Sequence, residues 1–226
     1  MAMDRKIITL SSYPCFSSKL LQASGMTLHL STACNLRCKR CVLEHDTSAA
    51  SSLSGTGMII MTADGAFELL QRYVERSGPP SYVQIGGLGE PLLDAGTYVL
   101  IRRLHAAYPD LPVTVWTNGI LLSDRLSELV RSGLRGVVLS INAISQDTAD
   151  KIYTGVTYRG RHSTGRDASH LILNKQWNGL ANAVEAGIET TICMTRIKGV
   201  NEHEIDRIGT KARAIGADRI EIVESD

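Results

Sequence analysis

Three cysteines, Cys34, Cys38 and Cys41, stand within the short stretch STACNLRCKRC (31–41). The two others, Cys15 and Cys193, lie outside this group. Thiolates are soft ligands that suit zinc or iron–sulfur clusters. Structural zinc takes four protein ligands, commonly as two C-x2-C knuckles, whereas this stretch offers three with x3 and then x2 between them. Two readings follow. A fourth ligand, Cys15 or His45, completes a structural zinc site, or the three thiolates hold a four-iron cubane and leave one iron open for something else to bind. The neighbours Arg37, Lys39 and Arg40 mark a polar loop rather than a core.

The elements that must position this loop can be read from periodicity. Strand-like runs at 26–31, 81–87, 111–119, 136–143, 188–195 and 217–225 alternate with helix-like runs at 62–78, 94–109, 123–133, 170–187 and 201–216. Ser123 is the expected cap of the third helix. Alternation of this kind predicts an α/β fold with a parallel sheet, because parallel strands need crossovers of helix length. A doubly wound sheet and an incomplete barrel both fit six such units. The chain reads as a single domain over 1–226, with an N-terminal extension at 1–25 and long loops at 42–60 and 143–169.

Composition narrows the function classes. The 226 residues carry a net charge of +1 and are 43% hydrophobic, which excludes a disordered or collagen-like chain and gives no global pull toward nucleic acid. No apolar run approaches the ~18–20 residues of a membrane span, and the first twenty residues lack a signal peptide's apolar stretch. The expected location is cytoplasmic, where thiols stay reduced and clustered cysteines hold metal.

In parallel α/β folds chemistry gathers where strands end. The cysteines follow the first strand. GGLGEP (86–91) follows the second, and its glycines let backbone approach a ligand closely. Thr117 and Asn118 follow the third; the pair Asn118–Gly119 also suits a plain turn. Ser140 and Asn142 are polar residues at a buried strand and must find partners. Arg196 ends the fifth strand and suits a carboxylate or a surface position. Cys193 reads as a small core residue. The loop 154–170 carries Arg159, Arg161, Arg166, His162 and His170 against Asp167, which suits an anionic substrate or solvent.

C-x3-C-x2-C after a first strand, with a Gly-Gly-Glu-Pro-like GGLGEP after the second, resembles the radical S-adenosylmethionine (SAM) superfamily. The resemblance implies a (β/α)6 partial TIM barrel and a [4Fe–4S] cluster on Cys34, Cys38 and Cys41. It also implies reductive cleavage of SAM to a 5′-deoxyadenosyl radical. SAM contacts would come from Gly86, Gly87, Gly89 and Glu90, with Thr117, Asn118, Ser140, Asn142 and Arg196. An external electron donor of flavodoxin or ferredoxin type is implied as well. Arg40 stands where the superfamily usually has an aromatic residue.

Within the superfamily, PCFS (14–17), ACNLRC (33–38), INA (141–143), KIY (151–153), Q-x-x-GL (176–180) and GVNEH (199–203) together resemble the radical SAM core of the NifB family of nitrogenase cofactor-maturation proteins. That implies methyl transfer and hydrogen abstraction in iron–sulfur metallocluster biosynthesis. Cys15, His45, Arg159, Arg161 and His162 would be candidates for a second cluster, an anionic substrate or an iron–sulfur precursor. Several family ligands are replaced: Tyr13, Thr47 and Thr114 stand where His or Cys is expected. The alternatives are a radical SAM enzyme acting on a small organic molecule, RNA or peptide, and a zinc-binding module without catalysis.

Overall fold

A computed structural model describes residues 25–41 and 60–225. In chain order the strands are β1 Met26–Leu28, β2 Leu36–Cys38, β3 Val83–Gly86, β4 Val113–Thr117, β5 Gly136–Ser140, β6 Tyr153–Tyr158, β7 Arg161–Thr164, β8 Glu189–Ile197 and β9 Arg219–Ser225. Six of them form one sheet in the order β1-β3-β4-β5-β8-β9, with every neighbouring pair parallel. The spatial order follows the chain order without reversal. A doubly wound sheet reverses at its switch point, so this is a barrel segment left open between β1 and β9.

Among the described residues, six α-helices accompany the strands: α1 Ala63–Ser77, α2 Ala95–Ala107, α3 Leu122–Arg131, α4 Gln146–Ile152, α5 Gly165–Glu185 and α6 Ile205–Ile215. Thr62 caps α1 by accepting from the Gly65 N–H (3.1 Å), and Asp94 caps α2 by accepting from the Gly96 N–H (2.7 Å). Strand alternation then sorts the side chains. Leu28, Ile85, Val115, Leu139 and Ile192 face outward into a core shared with helix residues such as Leu70, Leu104, Leu129 and Ile208. Trp116, Val138, Cys193 and Val223 form a separate cluster on the inner face, so Cys193 is the buried core residue its sequence context suggests.

Three expectations are corrected. The segment 143–169 is not a loop: it folds into α4, β6, β7 and the start of α5, which begins at Gly165 rather than 170. Ser123 does not cap α3; it lies inside the first turn, and Leu121 precedes the helix without a side-chain cap bond. The helix read over 201–216 opens with a 3-10 turn, Glu202–Glu204, before α6. The first correction has a clear cause. β6 pairs antiparallel with β7 and with β2, which lies far upstream on the cysteine loop itself. A strand whose partner is so remote, and which contains Gly155, gives little local signal.

This three-stranded sheet has its own core of Leu36, Ile120, Ala149, Ile152, Val156 and Ile172. The cysteine loop is therefore anchored by apolar burial as well as by backbone bonds. Leu36→Ala should lower stability by about 2–4 kcal/mol, measured by urea unfolding, because Leu36 is 3% exposed and leaves a cavity.

Candidate functional site

The cysteine loop is held from two sides. From the barrel, the turn after β3 presses against it. Gly86 and Gly87 have φ of 137° and 111°, a region open to glycine. A Cβ on Gly89 would lie 2.5 Å from the Ala33 carbonyl oxygen and 2.7 Å from that of Ser31. The Glu90 N–H donates to the Ala33 carbonyl (2.8 Å). From the other side, the Thr157 N–H donates to the Asn35 carbonyl (2.7 Å) and the Lys39 N–H to the Ile152 carbonyl (2.9 Å). Lys39 Nζ adds a bond to the Asp150 carbonyl (3.0 Å). Cys38 faces Tyr153 across the ladder, at a register shift between Arg37 and Cys38.

The Glu90 carboxyl ties these parts together. It is 1% exposed. Its Oε1 accepts from Thr117 Oγ1 (2.7 Å) and the Leu92 N–H (3.0 Å), and its Oε2 accepts from the Asn118 N–H (2.8 Å). Asn118 Nδ2 in turn donates to Asn35 Oδ1 (2.9 Å) and lies 3.6 Å from Cys34 Sγ. Burial pushes Glu90 from 4.5 to about 7, against the pull of the Asn118, Thr117 and Leu92 donors. Part of Cys34 faces solvent, yet burial of its thiol pushes it up to about 12. Glu90 and Cys41 act in the same direction, and the Leu36 N–H and Asn118 oppose it. A thiolate there calls for positive charge beside it.

The remaining candidates are placed as follows. Thr117 is buried and spends its hydroxyl on Glu90. Ser140 Oγ accepts from Trp116 Nε1 (2.8 Å). Asn142 Oδ1 accepts from the Thr195 N–H (2.7 Å). Arg196 is ion-paired with Glu224 (3.0 Å). Arg159, at the tip of the β6–β7 hairpin with φ 50°, reaches Asp124 (3.2 Å), and Arg166 pairs with Asp147 (2.7 Å). Arg161 and His162 are exposed, and His162 Nδ1 lies 3.1 Å from Thr157 Oγ1. Cys15 and His45, with Tyr13 and Thr47, lie outside the described residues. The fold thus brings the cysteine loop, the glycine turn and Asn118 together, while Arg159, Arg161 and His162 belong to the small sheet that carries Cys38.

Four residues had no assigned role in the sequence. Gln176 is fully buried and its Nε2 donates to the carbonyls of Asn118 (3.0 Å) and Ser140 (2.9 Å), joining two strand ends. Asn201, also fully buried, donates to the carbonyls of Asn142 (2.9 Å) and Thr195 (2.8 Å). Burial raises the Tyr153 hydroxyl, with Cys38 adding to the shift and hydrogen bonds to Gln176 and Asn142 opposing it. Burial would raise Glu204 too, but bonds from Ile144, Ser145 and Thr148 hold it below its ordinary range. Polar residues inside otherwise apolar helical or strand-end patterns were the available signal.

Among the described residues, no three His, Cys, Asp or Glu side chains converge as on a single metal ion. A cubane asks for something different, since each thiolate takes its own iron. Three thiols spread along one loop fit that demand.

Residues 28–211 match the Radical SAM superfamily, and the chain belongs to it. The family's cofactors are SAM and a [4Fe–4S] cluster. Among curated relatives, the chain is 27% identical over 209 residues to the FeMo cofactor biosynthesis protein NifB of Klebsiella pneumoniae, covering 92% of this chain and 44% of that protein. It is 25% identical over 200 residues to NifB of Methanocaldococcus infernus, covering 87% and 66%. Thus it spans less than half the length of the Klebsiella relative. Among solved structures, Streptococcus suis SuiB bound to S-adenosylmethionine superposes with a TM-score of 0.64 at 16% identity, over 90% of this chain and 41% of SuiB. The histidine-tagged anSMEcpe with bound AdoMet gives 0.57 at 14% identity, over 89% and 51%. These likenesses show the partial-barrel fold.

Two outcomes test the geometry. Gly89→Ala should destabilise the chain by about 1–3 kcal/mol in urea unfolding, because the added carbon meets backbone on the cysteine loop. Glu90 keeps a proton in the folded state where the unfolded chain has released it, so its contribution to stability is lost as pH rises from 4.5 to about 7. The stability of Glu90→Gln minus that of wild type should therefore grow across this window and level off above it.

Proposed function

We propose that the chain is a radical SAM enzyme of cofactor biosynthesis, NifB-like in its SAM-cleaving machinery. Cys34, Cys38 and Cys41 hold the [4Fe–4S] cluster, and Gly86, Gly87, Gly89, Asn118, Ser140 and Arg196 surround SAM. The observation that carries this reading is the loop held between the GGLGEP turn and β6, with Asn118 beside Cys34. Asn35 Nδ2, buried next to Cys34, has no hydrogen-bond partner and supplies a donor toward cluster sulfur. Held by these three cysteines, a cluster would supply the reducing electron for cleavage of SAM. Glu90 and Thr117 act by positioning: they fix Asn118 and the glycine turn. Asn142 and Asn201 fix the ends of β5 and β8. The electron comes from an external carrier of flavodoxin or ferredoxin type.

The finer reading, methyl transfer and hydrogen abstraction on an iron–sulfur precursor, rests on the NifB likeness. A second reading, an organic substrate, is favoured by Thr114, which lies on β4 where the family's cysteine is expected. Iron counting after anaerobic reconstitution separates them. About four irons per chain support the organic substrate; clearly more support cluster assembly. Stoichiometric zinc in a colourless protein would overturn both.

A further inference from the structure

Residues three apart on a regular strand face opposite sides of the sheet. On β6, Tyr153 and Val156 break this rule. Both are buried, at 5% and 0% exposed, and both belong to the core of the small sheet. The ladder with β2 explains how. Leu36 faces Val156, Arg37 faces Gly155 and Cys38 faces Tyr153, which leaves Thr154 as an extra residue on β6. Thr154 is exposed, and its Oγ1 donates to the Arg37 carbonyl (3.3 Å). A one-residue bulge of this kind re-aims the side chain beside it. Here it returns Tyr153 to the face that carries Val156, Leu36 and Cys38.

The bulge thereby brings Tyr153 and Cys38 together. The Lys39 N–H donates to the Ile152 carbonyl, one step beyond the pair. Cys38 and Tyr153 are therefore a non-hydrogen-bonded pair of the antiparallel ladder, the kind whose side chains lie closest. Cys38 also packs against the apolar cluster that contains Tyr153. At its far end Tyr153 reaches the strand ends of the barrel, where its hydroxyl is hydrogen-bonded to Asn142 and faces Gln176. Both of those residues are fixed in turn. Asn142 accepts from the Thr195 N–H on its side chain and from Asn201 on its carbonyl, and Gln176 bridges the carbonyls of Asn118 and Ser140. The tyrosine is braced between Cys38 and the ends of β4, β5 and β8.

We propose that Tyr153 is the positioning residue of Cys38: the Thr154 bulge sets its ring beside the thiol, and its hydroxyl ties the cysteine loop to Asn142. Cys34 is fixed by a different route, through Asn118 and the glycine turn. The consequence for a cluster rests on the reading of Cys38 as an iron ligand; the positioning of the thiol does not. A ligand held differently alters the surroundings of its iron, to which the properties of iron–sulfur clusters respond.

The first test uses the full chain without iron or SAM, under reducing conditions. Alkylation of each cysteine by iodoacetamide is followed by peptide mass spectrometry. Tyr153→Leu removes the brace, and Cys38 should react about tenfold faster relative to Cys34. Tyr153→Phe keeps the ring and removes the hydroxyl, and should speed Cys38 by about threefold, the worth of one hydrogen bond. Cys193, buried in the barrel, reports global opening and should stay slow in both variants. In the second test, anaerobically reconstituted Tyr153→Phe should hold as much iron as wild type but show a changed electron paramagnetic resonance spectrum after reduction by dithionite. Unchanged Cys38 reactivity in either variant, an acceleration shared by Cys193, or a wild-type spectrum from Tyr153→Phe would overturn the assignment. Failure of wild type itself to take up a cluster would count against the cluster reading instead, and the alkylation rates would still decide the positioning.

Discussion

The site depends on one buried carboxyl group. Glu90 sits at the end of the glycine turn with three donors on its two oxygens, and its own N–H reaches the backbone just before Cys34. A buried carboxyl is tolerated only where its oxygens are satisfied. Thr117, Asn118 and Leu92 must therefore stay where they are, and with them the ends of β3 and β4. Asn118 passes the constraint on, since its amide touches Asn35 and Cys34. The chain thus fixes a cysteine loop of little regular structure by tying it to a rigid strand end.

The second constraint comes from the small antiparallel sheet. β2 is only three residues long and cannot hold itself, but β6 pairs with it and Leu36 plugs a core shared with α4 and α5. The loop is clamped between two elements that are far apart in the chain. Gln176 and Asn201 perform the same service for the remaining strand ends, each with one buried amide bridging two carbonyls. Pre-organisation of this kind lets the three thiols keep their spacing on a short loop.

Much of this was legible in the sequence. The strands and most helices followed from alternation and capping residues, and the cysteine spacing with the glycine turn pointed to the superfamily. The choice between a wound sheet and a barrel was not legible, because periodicity carries no strand order. The small sheet was hidden for a related reason: Gly155 and the Arg159–Gly160 tip read as loop, and the partner strand lies over a hundred residues upstream. Side-chain roles were the least legible. Thr117 and Asn142 read as ligand contacts, yet their oxygens bond within the protein. Polar type and position along the strand announce that a partner exists, but not which one.

The most direct measurement is 5′-deoxyadenosine formation from SAM under dithionite after anaerobic reconstitution, compared between wild type and Cys38→Ala. Wild type is expected to release 5′-deoxyadenosine and methionine, and Cys38→Ala to release neither. Equal yields from the two proteins would contradict a radical made at Cys34, Cys38 and Cys41.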